Sequence, residues 1–228
     1  MSELSPAQLT GRDDSHIEFD GSGIGLTAAC REALLALGEE AAVAGFNIQV
    51  VSGFRSFERQ AAIWNAKCRG ERGVHDDAGA PVGMAGLEPV QRIHAILRFS
   101  ALPGSSRHHW GTDLDIYDAN AVAGDYQVQL TPGEVANDGV FGPFHQWLDQ
   151  RIAADESFGF YRPYDVDRGG VAPERWHLSF APESAANAEQ MNLDILKAAV
   201  EAAGLELVDE LLELLPDIYQ RYVLLPTA

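Results

Sequence analysis

Apolar residues recur at helical spacing from Leu26 to Ala44, and Gly45 follows as a stop. NIQVVSG (47–53) is a short apolar run closed by Ser-Gly, which predicts a buried strand. SFERQAAIWNAKCRG returns to helical spacing, with Ser56 as N-cap and Gly70 near its end. The same period predicts helices over Val90–Phe99 and over PFHQWLDQRIAADESFGF (143–160). From Ala186 to Val223 the chain is mostly helical, with apolar stripes at Leu193, Leu196 and Val200 and then Leu207, Leu211, Leu214 and Ile218. Stripes of this kind predict core packing or a dimer contact.

Two stretches switch to period two. In 113–117, Asp113, Asp115 and Tyr117 alternate with Leu114 and Ile116; in 176–180, Trp176, Leu178 and Phe180 alternate with His177 and Ser179. Successive side chains of a strand point to opposite faces, so Leu114 and Ile116 enter a core while both aspartates face the other way. Residues 1–20 are polar and predict an arm or irregular lead-in, and 70–88 and 119–142 predict long loops. Short strands among helices and long loops predict an α+β fold: a small, mostly antiparallel sheet flanked by helices, with a cleft on the sheet and a helical C-terminal tail. The expected division is an arm (1–20), a main domain (21–185) and a helical extension (186–228) packed on that domain.

Composition narrows the options. A chain of 228 residues with 46% apolar content can bury a full core. Its formal charge of -18 disfavours nucleic acid and anionic lipid and favours a divalent cation. Cys30 and Cys68 lack C-x-x-C spacing, so they read as small buried residues rather than a thiolate site. No run approaches the ~20 apolar residues of a membrane span. The opening residues have neither a basic nor an apolar leader segment, so the expected compartment is cytoplasmic, or periplasmic or extracellular if a leader has been trimmed.

The chemistry concentrates in SRHHWGTDLDIYD (106–118). If the strands at 113–117 and 177–180 share a sheet, Asp115 and His177 open into one cleft. His108 adds a second imidazole, and Gly111 lets the backbone turn so that the side chains converge. Two imidazoles and a carboxylate suit a zinc ion with one open position. Spacing does not separate His108 from its neighbour His109. Glu174 lies three residues before His177, so Pro173-Glu174-Arg175 must bend to place that carboxylate beside the site as a general base and proton donor. His16, His75, His94 and His145 have no partner at metal spacing.

S-R-H-H-W-G-T-D-L-D resembles the S-x-H-x-x-G-x-A-x-D signature of the VanY-type zinc carboxypeptidases, the D-alanyl-D-alanine peptidases. E-R-W-H (174–177) resembles that family's E-x-W-H, and SGFRSFERQ (52–60) is similar to its S-G-[YF]-R-S-x-x-x-Q segment. The resemblance implies one zinc ion on His108, Asp115 and His177, with Glu174 as catalytic base and Arg55 on the oxyanion of the tetrahedral intermediate. A forked, permanently charged guanidinium suits that electrophilic role. Gln60 and Ser106 match positions that hold the substrate's terminal residue, and Trp176 is expected to pack under the site.

The implied activity is that of a hydrolase of cell-wall peptides: a zinc carboxypeptidase removing a C-terminal D-amino acid, D-alanine, from peptidoglycan-derived peptides. An L,D-carboxypeptidase, a D,D-dipeptidase, a cross-link endopeptidase and a non-catalytic peptide-binding module remain open, as do monomer and dimer. One residue departs from the pattern. The family has alanine where this chain has Asp113, on the same face as Asp115 with Cα atoms roughly 6.8 Å apart. It is expected to back a ligand histidine by accepting its far ring N–H. The competing readings are a substrate ammonium or a nearby loop as its partner.

Overall fold

The computed structural model describes residues 3–224; the first two residues and the last four, including the end of the predicted extension, lie outside the described residues. In chain order the elements are α1 (Pro6–Leu9), β1 (Glu18–Phe19), β2 (Gly25–Leu26), α2 (Ala28–Val43), β3 (Ile48–Ser52), α3 (Phe57–Cys68) and α4 (Pro89–Leu97). They continue with β4 (Asp113–Asp118), α5 (Pro132–Val135), α6 (Gly142–Ala153), β5 (Phe160–Tyr161), β6 (His177–Phe180), α7 (Ala181–Gln190), α8 (Leu193–Glu201) and α9 (Val208–Ile218). The main sheet has the order β3-β4-β6-β5, and every pairing in it is antiparallel.

The period-two stretches are the two central strands of that sheet. Leu114, Ile116 and Leu178 are fully buried against α2 (Cys30, Leu37) and α6 (Phe144, Leu148). Each such side chain contributes roughly 1.5–3 kcal/mol on burial. A one-residue slip would exchange these apolar groups for Asp113, Asp115 and His177, so the core fixes which face carries the polar residues. The site therefore owes its register to the packing behind it.

A second core lies among the helices. Trp64 of α3 and Ile93, Ile96 and Leu97 of α4 pack with Leu196 and Val200 of α8 and Leu211, Leu215 and Ile218 of α9. The predicted apolar stripes of the C-terminal region are thus core, shared with α3 and α4. The helical run begins at Ala181, before the expected boundary at 186. No described helix is long and apolar enough to cross a membrane.

Two local expectations need correction. The helix predicted over 143–160 ends at Ala153, because Asp155 and Phe158 adopt left-handed conformations (φ 57° and 56°), and Phe160 begins β5. The polar lead-in is ordered rather than irregular. Ser5 caps α1 in a capping box, Trp110 donates to the Leu9 carbonyl (3.1 Å), and β1 pairs with β2. Its apolar anchors are too sparse to give a periodic signal. Cys30 and Cys68 are both free and buried.

Candidate active site

The register of β4 and β6 sets Asp115 directly opposite His177 and Asp113 opposite Ser179. His108 comes from the 3-10 turn Arg107–Trp110, which ends at Gly111. That glycine has φ 69°, and a Cβ on it would run into the Ile17 side chain, so the turn requires glycine on both counts.

Each histidine is held by one ring nitrogen and presents the other. His108 Nδ1 lies 2.9 Å from the Gly53 carbonyl, which can only accept, so Nε2 is left with its lone pair toward Asp115 Oδ2 at 3.3 Å. His177 Nε2 donates to Asp113 Oδ1 (3.0 Å), leaving Nδ1 3.2 Å from Asp115 Oδ1 and 3.6 Å from Glu174 Oε2. Asp115 Oδ1 is buried and has no hydrogen-bond partner. The ligand-type atoms of buried His108, Asp115 and His177 lie within 4.8 Å of one another. Lone pairs converging on a carboxylate in a buried pocket repel unless a cation stands among them. The donor set of two imidazoles and one carboxylate fits zinc.

His109 is excluded from this set. Its Nε2 accepts from the Gly104 N–H (3.1 Å), so its Nδ1 carries the proton and donates to the Arg55 carbonyl (2.6 Å). Burial keeps it neutral, with its pKa lowered to about 3. It fixes the backbone of Arg55 rather than facing the site.

Asp113 is fully buried, so it does not meet substrate. Its Oδ1 accepts from both His177 and Arg107 Nε (2.7 Å), and its Oδ2 accepts from the Thr112 hydroxyl (2.8 Å). Burial alone would raise its pKa, but the Arg107 and His177 charges overcome this and hold it well below the usual carboxylate range. Arg107 is itself buried and also donates to Tyr161 Oη and Ser179 Oγ. Arg107 carries no motif signal of its own. Its position next to His108 was visible, but its pairing across β4 and β6 was not.

The protonation pattern follows from these contacts. Burial opposes charge on His177, yet the carboxylates of Asp113 and Asp115 beside it push its pKa up to about 9. Burial, reinforced by Arg55 and opposed by Asp115, lowers that of His108. Burial also raises Glu174 to about 8, against the pull of His177. A bound dication would favour the unprotonated form of all three.

Glu174 sits on the predicted bend: the His177 N–H donates to the Glu174 carbonyl (3.1 Å), and the Glu174 N–H donates to Tyr164 O (3.0 Å). Arg175 secures the bend from outside through Asp149 and the Val135 carbonyl (2.7 Å). Arg55 donates to Gln60 Oε1 and Ser52 Oγ, both at 2.9 Å, and lies 3.9 Å from Asp115 Oδ2.

Gln60 differs from its expected place. It is fully buried behind Arg55, with Nε2 donating to the Ala101 carbonyl (2.6 Å), so it orients Arg55 and does not reach the cavity wall. Ser106 does line the cavity, and Trp176 borders it as expected. The cavity, about 420 Å³, also receives Tyr164, whose ring stacks edge-on to His177 at 5.1 Å between centroids. Residues from both long loops, including His75 and Thr131, complete its rim.

An antiparallel sheet carrying a His/Asp/His cluster beside a buried carboxylate and a guanidinium has the make-up of a hydrolytic metal site. Residues 23–183 match the family model described as VanY, D-alanyl-D-alanine carboxypeptidase, and the chain belongs to that family. An uncharacterised protein of Haemophilus influenzae is 44% identical over 104 residues, covering 44% of this chain and 71% of the relative. A second from the same organism is 28% identical over 124 residues, covering 54% of this chain and 92% of the relative. Among solved structures, VanYB in complex with D-alanine-D-alanine is similar in fold, with a TM-score of 0.51, 24% identity and coverage of 86% of this chain and 87% of that one. A mutant of the vancomycin-resistance D,D-pentapeptidase VanY in complex with Zn(II) has a TM-score of 0.50, 26% identity and coverage of 86% and 88%.

Proposed function

We propose that the chain is a zinc-dependent carboxypeptidase that removes a C-terminal D-amino acid, D-alanine in the simplest case, from peptidoglycan-type peptides. The carrying observation is the convergence of one ring nitrogen each from His108 and His177 and an unsatisfied carboxylate oxygen of Asp115 beside Glu174. Family membership and the zinc-bound relative support zinc as the metal. His108 Nε2, Asp115 and His177 Nδ1 would hold one ion. When bound there, zinc supplies Lewis acidity that activates a water and polarises a carbonyl.

The chain's own residues do the rest. Glu174 takes a proton from the attacking water and delivers it to the leaving amine, a role suited to a buried carboxylate whose pKa is raised toward neutrality. Arg55, held by Gln60 and Ser52, presents positive charge to the developing oxyanion. Ser106 lines the pocket for the terminal residue. Asp113 fixes the His177 tautomer through Nε2–H and raises its basicity as a ligand. A cavity of about 420 Å³ suits the end of a short peptide.

The test is release of D-alanine from peptides ending in D-Ala-D-Ala and from L,D-linked peptides, with added zinc and with chelator. Zinc-dependent release supports the reading. A zinc-loaded protein that releases nothing from either class contradicts it and favours a binding module.

A further inference from the structure

With 34 acidic and 16 basic side chains, most cations in this chain find a carboxylate. Among the described residues the exceptions are Arg12 and Arg92, which donate to backbone carbonyls, and Arg59, Lys67 and Arg72, whose side chains have neither an ion-pair partner nor a hydrogen bond. Two of the last three, Lys67 and Arg72, line the catalytic cavity. Lys67 follows Ile63 by one turn of α3, both facing the cavity, and is half-buried. Burial first, and then repulsion from Arg72, lower its pKa to about 8 against the pull of Glu174. An unpaired, partly desolvated ammonium beside a second cation is unfavourable by itself and becomes favourable when an anion enters.

The position of the pair says which part of a peptide it meets. Gln60 ties α3 to Arg55 on one side and to the Ala101 carbonyl on the other. Lys67 lines the same cavity as Arg55, Ala101 and Ser106, the last of which is assigned above to the terminal residue. Ile63, Ile96 and Phe99 supply apolar surface along it. An aliphatic stem ending in an anion matches that sequence of contacts. Taking Ser106 for the α-carboxylate leaves Lys67 and Arg72 for a second anion.

We propose that Lys67 and Arg72 form a subsite for a carboxylate on the side chain of the released residue, so that acidic C-terminal residues are favoured over alanine. This deepens the carboxypeptidase reading and rests on it.

The experiment compares peptides ending in D-glutamate, D-alanine and D-lysine on the zinc-loaded protein. The expected kcat/KM is about tenfold or more higher for D-glutamate than for D-alanine, the scale of one charge-assisted contact. That ratio falls to about one in Lys67→Gln/Arg72→Gln. Lys67→Glu shifts the preference to D-lysine. Equal rates on D-glutamate and D-alanine in the native protein overturn the proposal, as does a ratio that survives the double substitution. A parallel loss on all three peptides assigns the pair to the α-carboxylate and overturns it too.

Calorimetry with the free amino acids separates this from the peptidase reading. If no peptide is cleaved, that reading fails, and binding alone decides the subsite. Tighter binding of D-glutamate than D-alanine, abolished by the double substitution, supports it; equal binding overturns it.

Discussion

The two halves of the site are held by different means. On the sheet, His177 is backed by an ionised carboxylate, Asp113, which is neutralised by buried Arg107. On the loops, His108 is backed by the Gly53 carbonyl, Arg55 accepts at its carbonyl from His109, and Glu174 is fixed by backbone hydrogen bonds. A carbonyl partner brings no net charge into the interior and depends on the loop staying folded. A carboxylate partner makes a more basic ligand, but in a buried position it needs its own cation. The sheet half thus trades a simple hydrogen bond for a three-residue charge relay of position, from Arg107 to Asp113 to His177.

Substitutions can break this contrast, beginning with the largest expected effect. Glu174→Gln keeps the loop geometry and removes the proton acceptor, so kcat should fall by about two to four orders of magnitude while bound zinc is retained. Steady-state kinetics alongside metal analysis checks this; loss of zinc in that variant would make Glu174 part of the metal site instead. Next is Arg107→Met, which strands Asp113 without its cation. Denaturant unfolding should show a loss of about 3–5 kcal/mol, and the double variant Arg107→Met/Asp113→Ala should recover much of it. Additive losses would mean the two residues act independently.

Asp113→Asn, a milder change, keeps an acceptor but removes its charge. Zinc affinity should drop about 10–100-fold by competition titration, with the fold intact. Unchanged affinity and kinetics would reduce Asp113 to a structural role. His109→Ala should cost about 1–3 kcal/mol in stability through its two buried hydrogen bonds, and it should leave zinc content unchanged. A comparable loss of zinc would erase the distinction between the halves.

The sheet half was legible in the sequence because period-two alternation assigns faces directly. Leu114, Ile116 and Leu178 marked the core, and Asp113, Asp115 and His177 followed from them. The bend at Glu174 was also legible, since a straight strand would have sent it to the wrong face. What was not legible depends on contacts between segments far apart in the chain. Gln60 matched a substrate-holding position, yet it turns inward because Arg55 and the Ala101 carbonyl satisfy it there. His109 looked equivalent to His108 until the Gly104 N–H and the Arg55 carbonyl fixed its ring. Arg107 carried no periodic signal, since its partners Tyr161 and Ser179 arrive from other strands. The helix predicted through 143–160 failed at Asp155, where a left-handed residue ends a segment whose apolar spacing continues.

The central claim is that one zinc ion is held by His108, Asp115 and His177. Its most direct measurement is zinc stoichiometry and affinity in the native protein and in the alanine variants of those three residues and of His109. One zinc per chain is expected, retained in His109→Ala and lost in the other three. Retention in His108→Ala with loss in His109→Ala would contradict it.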